Sequence, residues 1–349
     1  MNRADFVIRQ LRYYASVKCP HTIYIGDSSD KEDSEKIQNE VKRLGSSIKA
    51  KYYSLPSYNI WQAHYYLLTQ VEEKYTCLSG DDDYQIPDSV TECAKFLENN
   101  PEYTTASGHA VSFRLNPHGV YGKLLRLADY HRGQIENGSA ADRIVEYFNS
   151  YFVTFFSVNR TEQTKRCWKS SEKIPDQAFG AEILPSSLQI VNGKSKIIDC
   201  LGFIRQIHGQ QNGLVNTFEW ITKPIWLESY EKFEKIISDA MVERGGISYA
   251  EAREATRLGF WSYLQTWLAK DYRSTLSSKG LDKTKDSKIK VLKSTLKKKL
   301  PLIGKVYSAI KPFISDKKYL HYEVLQNSSK YYKDFKPVMD SFTGQIRNT

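Results

Sequence analysis

Residues 74–87 read KYTCLSGDDDYQIP: a short β-prone stretch, three aspartates in a row, and a proline at position 87. Adjacent carboxylates repel one another, so a chain that places Asp81, Asp82 and Asp83 behind an apolar stretch needs something to neutralise them. Oxygen ligands at a strand end suit Mg²⁺ or Mn²⁺, which bind through one or two carboxylates plus the phosphates of a substrate. The plainer alternative is a solvated acidic turn with Asp88 capping the helix that follows. A second acidic turn at Asp27, also behind a short apolar strand, argues against it.

Outward from this stretch the pattern alternates. Helical spacing of Phe6, Val7, Leu11 and Tyr14 predicts a first helix over 5–17, followed by a strand at Thr22–Ile25 that runs into Asp27–Asp30. Small polar residues there cap a helix that ends at Gly45. A strand closing at Pro56, a helix over IWQAHYYLLTQVEE, the strand before the aspartates, a helix over 88–100 and a strand YTTASGHAVSF complete the set. Strands and helices alternating at this spacing predict an α/β fold with a largely parallel sheet. In such sheets ligands bind off the carboxyl ends of the strands, where both acidic turns lie. From about residue 225 the pattern is helical.

Composition narrows the function. The chain has 349 residues, 40% hydrophobic and 13% aromatic, which is enough for a sizeable core. It has no apolar stretch of membrane-spanning length, and its amino terminus is charged throughout, which predicts a cytoplasmic protein. The odd, scattered cysteines (Cys19, Cys77, Cys93, Cys167 and Cys200) read as reduced thiols. Net charge is +10, but Leu281–Lys318 alone carries twelve lysines against three aspartates, a net +9. The rest is nearly neutral, which excludes a general nucleic-acid-binding surface. Lysines alternating with Ile, Val and Leu in this tail predict contact with an anionic membrane surface; a helix packed on its own domain is the other reading.

With these motifs the chain resembles the nucleotide-sugar glycosyltransferases of the GT-A fold, specifically the inverting family 2-like enzymes. NRADFVIRQLRYYA is similar to their first turn and helix, IYIGDSSD to their second strand, and KYTCLSGDDDYQIP to their metal motif. The resemblance covers roughly residues 1–215. It implies a Rossmann-like nucleotide-diphospho-sugar domain over 1–215; beyond it the residue pattern predicts a helical extension over 216–276 and a basic helical tail over 277–349. The resemblance also implies that the first strand of the sheet is missing or truncated.

The resemblance assigns roles. Asp27 contacts the uracil, Asp81 the ribose, and Asp82, five residues before Pro87, holds Mn²⁺ or Mg²⁺; Asp83 is a further ligand or holds its water. Glu182, eleven residues before Gly193, is the implied general base, with Asp176 the competing choice. Arg205 is the implied partner of the diphosphate and His208 a further metal ligand. The implied activity is transfer of a sugar from a nucleotide-sugar, most readily a UDP-sugar, to a hydroxyl of a glycan or lipid-linked saccharide in surface polysaccharide or lipopolysaccharide synthesis. Two other readings stay open. A nucleotidyltransferase would want a Gly-rich phosphate loop that the sequence lacks. A non-catalytic membrane- or nucleic-acid-binding protein would leave the aspartates without a purpose.

Overall fold

Local signals set most helix boundaries. In the computed structural model, which describes residues 2–209, 216–278 and 319–346, the chain opens with α1 (Ala4–Ser16), β1 (Thr22–Asp27), α2 (Lys31–Leu44) and β2 (Lys49–Ser54). Then come α3 (Ile60–Gln70), β3 (Tyr75–Thr76), β4 (Tyr84–Gln85), α4 (Pro87–Asn99), β5 (Tyr103–Asn116) and β6 (Lys123–Tyr130). The Asp30 carboxylate accepts from Asp33 N at the start of α2, and Asn59 and Gln62 form a reciprocal capping box on α3. The expected Asp88 cap is corrected: α4 begins at Pro87, whose ring presets φ for the first turn, and Asp88 follows inside that turn.

The middle and carboxyl-terminal parts continue with α5 (Ala140–Asn149), β7 (Val158–Arg160), α6 (Thr161–Ser170), α7 (Leu184–Asn192) and β8 (Lys194–Gln206). Among the described residues the helices that follow are α8 (Thr217–Ile221), α9 (Trp226–Glu243), α10 (Tyr249–Ser278), α11 (Leu320–Glu323) and α12 (Tyr332–Thr343). The lysine-rich segment 281–318 lies outside the described residues. Among the described residues no helix is long and apolar enough to cross a membrane.

The expectation of a largely parallel sheet is corrected. β1 and β2 form a parallel pair with Thr22 opposite Lys49 and Asp27 opposite Ser54. A second sheet runs β3-β7-β5-β8-β4, with β6 also on β5. There β5 and β8 are parallel, whereas β3–β7, β5–β7, β5–β6 and β4–β8 are antiparallel. β6 returns directly from β5, and an antiparallel neighbour needs no helical crossover. β3 is also shorter than expected, because after Thr76 the chain leaves the ladder and Leu78 N bonds Phe155 O at 2.9 Å.

The two largest of four buried clusters among the described residues hold these layers. Phe148, Phe179, Phe233 and Phe260, all buried, join α5, the turn before α7, α9 and α10 into one aromatic cluster. Beneath the sheets Leu11, Tyr84, Phe113 and Ile204 pack with Phe335, Val338 and Phe342, so α12 returns to cover the same core as α1. The acid turn between β3 and β4 runs directly into the second of these cores at Tyr84 and Ile86.

Candidate active site

The acid turn is held from below by α1. Gln10 Nε2 donates to Gly80 O at 2.7 Å and to Asp83 O at 2.6 Å, while Arg9 Nη2 donates to Asp82 O at 3.1 Å. Arg9 is itself buried, bonded to Gln206 Oε1 at 2.7 Å and stacked against Phe6 and Tyr84. The carbonyls of Gly80, Asp82 and Asp83 thus each have a side-chain donor, which holds the backbone that carries the three carboxylates. Gly80 is required for the close approach: a Cβ there would lie 2.7 Å from Asp82 Oδ1.

The three aspartates meet different surroundings. Arg3 Nη2 reaches Asp81 Oδ1 and Asp82 Oδ2, each at 2.7 Å, and His208 Nε2 lies 2.7 Å from Asp82 Oδ2. Burial by itself would raise the Asp82 carboxyl, but Arg3 and His208 outweigh it and hold this group below the usual carboxylate range. Burial raises Asp81, with Arg3 only partly opposing. Asp83 is pushed well up, first by burial and then by the Asp82 charge, and its Oδ1 accepts from Gln206 N at 3.1 Å. Arg3 belongs to the turn quoted for the resemblance but is given no role there; the one sequence signal of Arg9 and Gln10 is that they fall on the otherwise apolar face of α1.

Asp27, at the end of β1, is buried and internally bonded. Its oxygens accept from Ser29 N at 2.9 Å, Ser34 Oγ at 2.7 Å and Tyr52 OH at 2.8 Å. Burial alone would raise its carboxyl; these donors outweigh burial and keep it below the ordinary range. Ser34 and Tyr52, which the sequence reading did not single out, are thus its positioning partners.

Across the cavity, Glu182 sits in a π-helical turn, Phe179–Ile183, that leads into α7. π turns inserted in helices recur at functional sites because they re-aim side chains. Tyr151 OH donates to Glu182 Oε1 at 3.1 Å. Burial raises the Glu182 carboxyl, with Tyr151 and Arg205 opposing the rise. Asp176 is spent differently: its Oδ1 accepts from Ala178 N at 2.9 Å, Phe179 N at 3.1 Å and Trp220 Nε1 at 3.0 Å. Arg205 stacks on Tyr130 and Phe156, donates to Tyr130 OH at 2.7 Å, and leaves its buried Nε without a partner among the described residues.

Asp27, Asp81–Asp83, Asp176, Glu182 and Arg205 line one cavity of about 1560 Å³, and His208 reaches it through Asp82. Among the described residues no group of three or more His, Cys, Asp or Glu side chains is placed to hold a metal ion. Of the expected ligand set Asp82, Asp83 and His208, the structure brings Asp82 and His208 into direct contact, His208 Nε2 lying 2.7 Å from Asp82 Oδ2. Two protein ligands of this kind are what Mg²⁺ accepts when a substrate's phosphates supply others, and Asp82 and His208 have the chemistry for it. Asp83 Oδ1 is turned to the Gln206 amide, which donates to it at 3.1 Å.

No protein family model and no curated protein matches this chain. Among solved structures it is similar to residues 1–349 of S. aureus TarS, a glycosyltransferase, in complex with UDP-GlcNAc: TM-score 0.50, 10% identity, covering 99% of this chain and 88% of that one. The UDP complex of the same protein aligns at TM-score 0.45 and 12% identity, covering 98% and 88%. The chain has a glycosyltransferase fold. At this identity the likeness is one of fold, and it runs through the helical region as well as the sheets.

Proposed function

We propose that this protein is an inverting glycosyltransferase of the GT-A, family 2-like kind, which moves a sugar from a UDP-sugar to a hydroxyl of a glycan or lipid-linked saccharide. The observation that carries this reading is the opposition, across one cavity, of an acid turn and a separately enclosed carboxylate, Glu182, with Arg205 between them. TarS is held with UDP-GlcNAc in its structure, which favours the same nucleotide here. Surface polysaccharide or lipopolysaccharide synthesis is the setting we favour, with 281–318 bringing the enzyme to an anionic membrane face from the cytoplasm.

The chain's own residues divide the work. Asp27 faces the base and Asp81 the ribose, while Arg205, with an unpaired Nε, receives charge that develops on the leaving diphosphate. Asp82 and His208 would hold a Mg²⁺ or Mn²⁺ ion, whose chemistry is to neutralise that same leaving group. Glu182 takes the proton from the acceptor hydroxyl as its oxygen attacks the anomeric carbon on the face opposite UDP. A carboxylate raised by burial is the better base for this step, since proton affinity nearer neutrality favours transfer.

Titration calorimetry with UDP and UDP-GlcNAc in Mn²⁺, in Mg²⁺ and in chelator, followed by donor hydrolysis across a set of nucleotide-sugars, tests the reading. UDP is expected to bind, at least about tenfold more weakly in chelator. Binding that ignores the chelator removes the metal; no binding of any nucleotide removes the transferase.

A further inference from the structure

The cavity continues past Glu182 onto the helical extension. Tyr263, Trp267 and Asp271 all line it, and their i, i+4, i+8 spacing puts them on one face of α10. Asp271 Oδ2 accepts from Thr217 N at 2.7 Å, which ties the start of α8 to this face. A run of rings leads there from the base. Tyr151, whose hydroxyl donates to Glu182, has its ring centroid 4.8 Å from that of Tyr263, and Tyr263 lies 6.2 Å from Trp267.

Exposure changes along this wall. Trp168 and Trp220 also line the cavity, but both are buried, and Trp220 Nε1 is spent on Asp176. Trp267 is only half-buried. Lys270, an exposed residue, holds its Nζ 4.0 Å from the Trp267 ring centroid. An ammonium seated on the negative face of an indole is a favourable contact, yet it sits on a flexible four-carbon stem. That ring face is therefore covered by a group that a ligand can displace.

The direction of attack decides which ligand arrives there. In an inverting displacement the hydroxyl approaches opposite the leaving diphosphate, and Glu182 has to reach its proton. The acid turn and Arg205 occupy the diphosphate side, so the acceptor extends from Glu182 the other way, along the rings toward Trp267. A pyranose presents a face of C–H bonds, apolar and weakly positive, that matches the negative face of an aromatic ring.

We propose that Tyr263 and Trp267 form an acceptor subsite for a neutral oligosaccharide end of two or more units. Its terminal sugar lies beside Glu182, and the next ring stacks on the Trp267 indole in place of the Lys270 ammonium. This subsite presupposes the transferase reading given above.

The test is indole ¹⁵N NMR on the full chain loaded with UDP, with methyl β-lactoside, methyl β-cellobioside and N,N′-diacetylchitobiose as probes. The Trp267 signal, assigned by its loss in Trp267→Phe, should shift with at least one disaccharide and much less with methyl β-glucoside. By saturation-transfer NMR, affinity for that disaccharide should fall about tenfold in Trp267→Ala and stay within about threefold in Trp267→Phe, with UDP affinity unchanged in both. Should Trp267→Ala fail to fold, Trp267→Leu, which keeps apolar bulk without a ring, takes its place. If UDP binds and no disaccharide moves the Trp267 signal, the subsite is overturned and the transferase reading stands. A shift caused by UDP-GlcNAc but not by UDP places the donor sugar on Trp267 and overturns it too. A parent that binds no UDP removes both.

Discussion

The acid turn and the Glu182 turn face one cavity, yet the protein treats their carboxylates in opposite ways. Asp82 is enclosed together with two cationic or donor partners, Arg3 and His208, and is kept ionised. Glu182 is enclosed with a tyrosine hydroxyl and a more distant Arg205, and is pushed toward the neutral form. Burial is common to both, so the difference comes from what is buried beside each. A group meant to attract a cation or orient phosphates has to stay charged at every working pH. A group meant to accept a proton has to hold it with an affinity that matters near neutrality. Environments that drive two carboxyl groups apart in this way mark acid–base work divided between them.

The largest expected effect separates the two regions at once. Glu182→Gln keeps size and the bond from Tyr151 but removes the basic oxygen. Turnover with a UDP-sugar should fall by about 10²- to 10⁴-fold while UDP affinity, measured by calorimetry, stays close to that of the parent. The pH profile gives the sign. Glu182 works only when ionised, and its carboxyl titrates above the ordinary range. The parent's kcat/KM should therefore rise with pH through that raised value, and the residual rate of the variant should lack this limb. A variant with normal turnover would end the role of Glu182 and undo the contrast.

Asp82→Asn is expected to be the milder and opposite case. The loss should fall on donor binding, with UDP affinity down by about 10- to 100-fold, and chelator should weaken the variant's binding far less than the parent's. The acid limb set by Glu182 should persist. Undiminished UDP affinity combined with lost turnover would mean that the acid turn serves chemistry rather than grip, and the division of labour would have to be redrawn.

Much of this contrast was legible from the sequence, for reasons tied to range. The alternation through β1, α2, β2 and α3, the acid turn before Pro87 and the helix after Glu182 are local patterns, fixed by periodicity, caps and turn residues. What stayed hidden depends on partners far along the chain. Arg9 and Gln10 bond the acid turn from 73 positions away, and no spacing rule connects them. β6 escaped because 123–130 reads KLLRLADY, without clean alternation, and becomes a strand only by pairing with β5. The parallel expectation failed at the same place. Asp83 shares a triplet with Asp81 and Asp82, and only the fold shows that its oxygen meets the amide of Gln206.

The smallest effect bears on the neighbour that spacing alone left in competition with Glu182. Asp176 lies only a few residues earlier and lines the same cavity, but its Oδ1 gathers two backbone amides and the Trp220 indole. Those donors sit at the start of the π turn and at α8, so the carboxylate ties the Glu182 turn to the helical extension. Asp176→Ala strands all three donors in a buried place. It should cost about 2 kcal/mol of stability, read as a lower midpoint in thermal or urea unfolding. The pH limb of the remaining activity should stay where it was, since the group that sets it is untouched. A stability equal to the parent's, with the limb displaced, would make Asp176 the proton acceptor and Glu182 its support. The same two carboxylates would remain, with their roles exchanged.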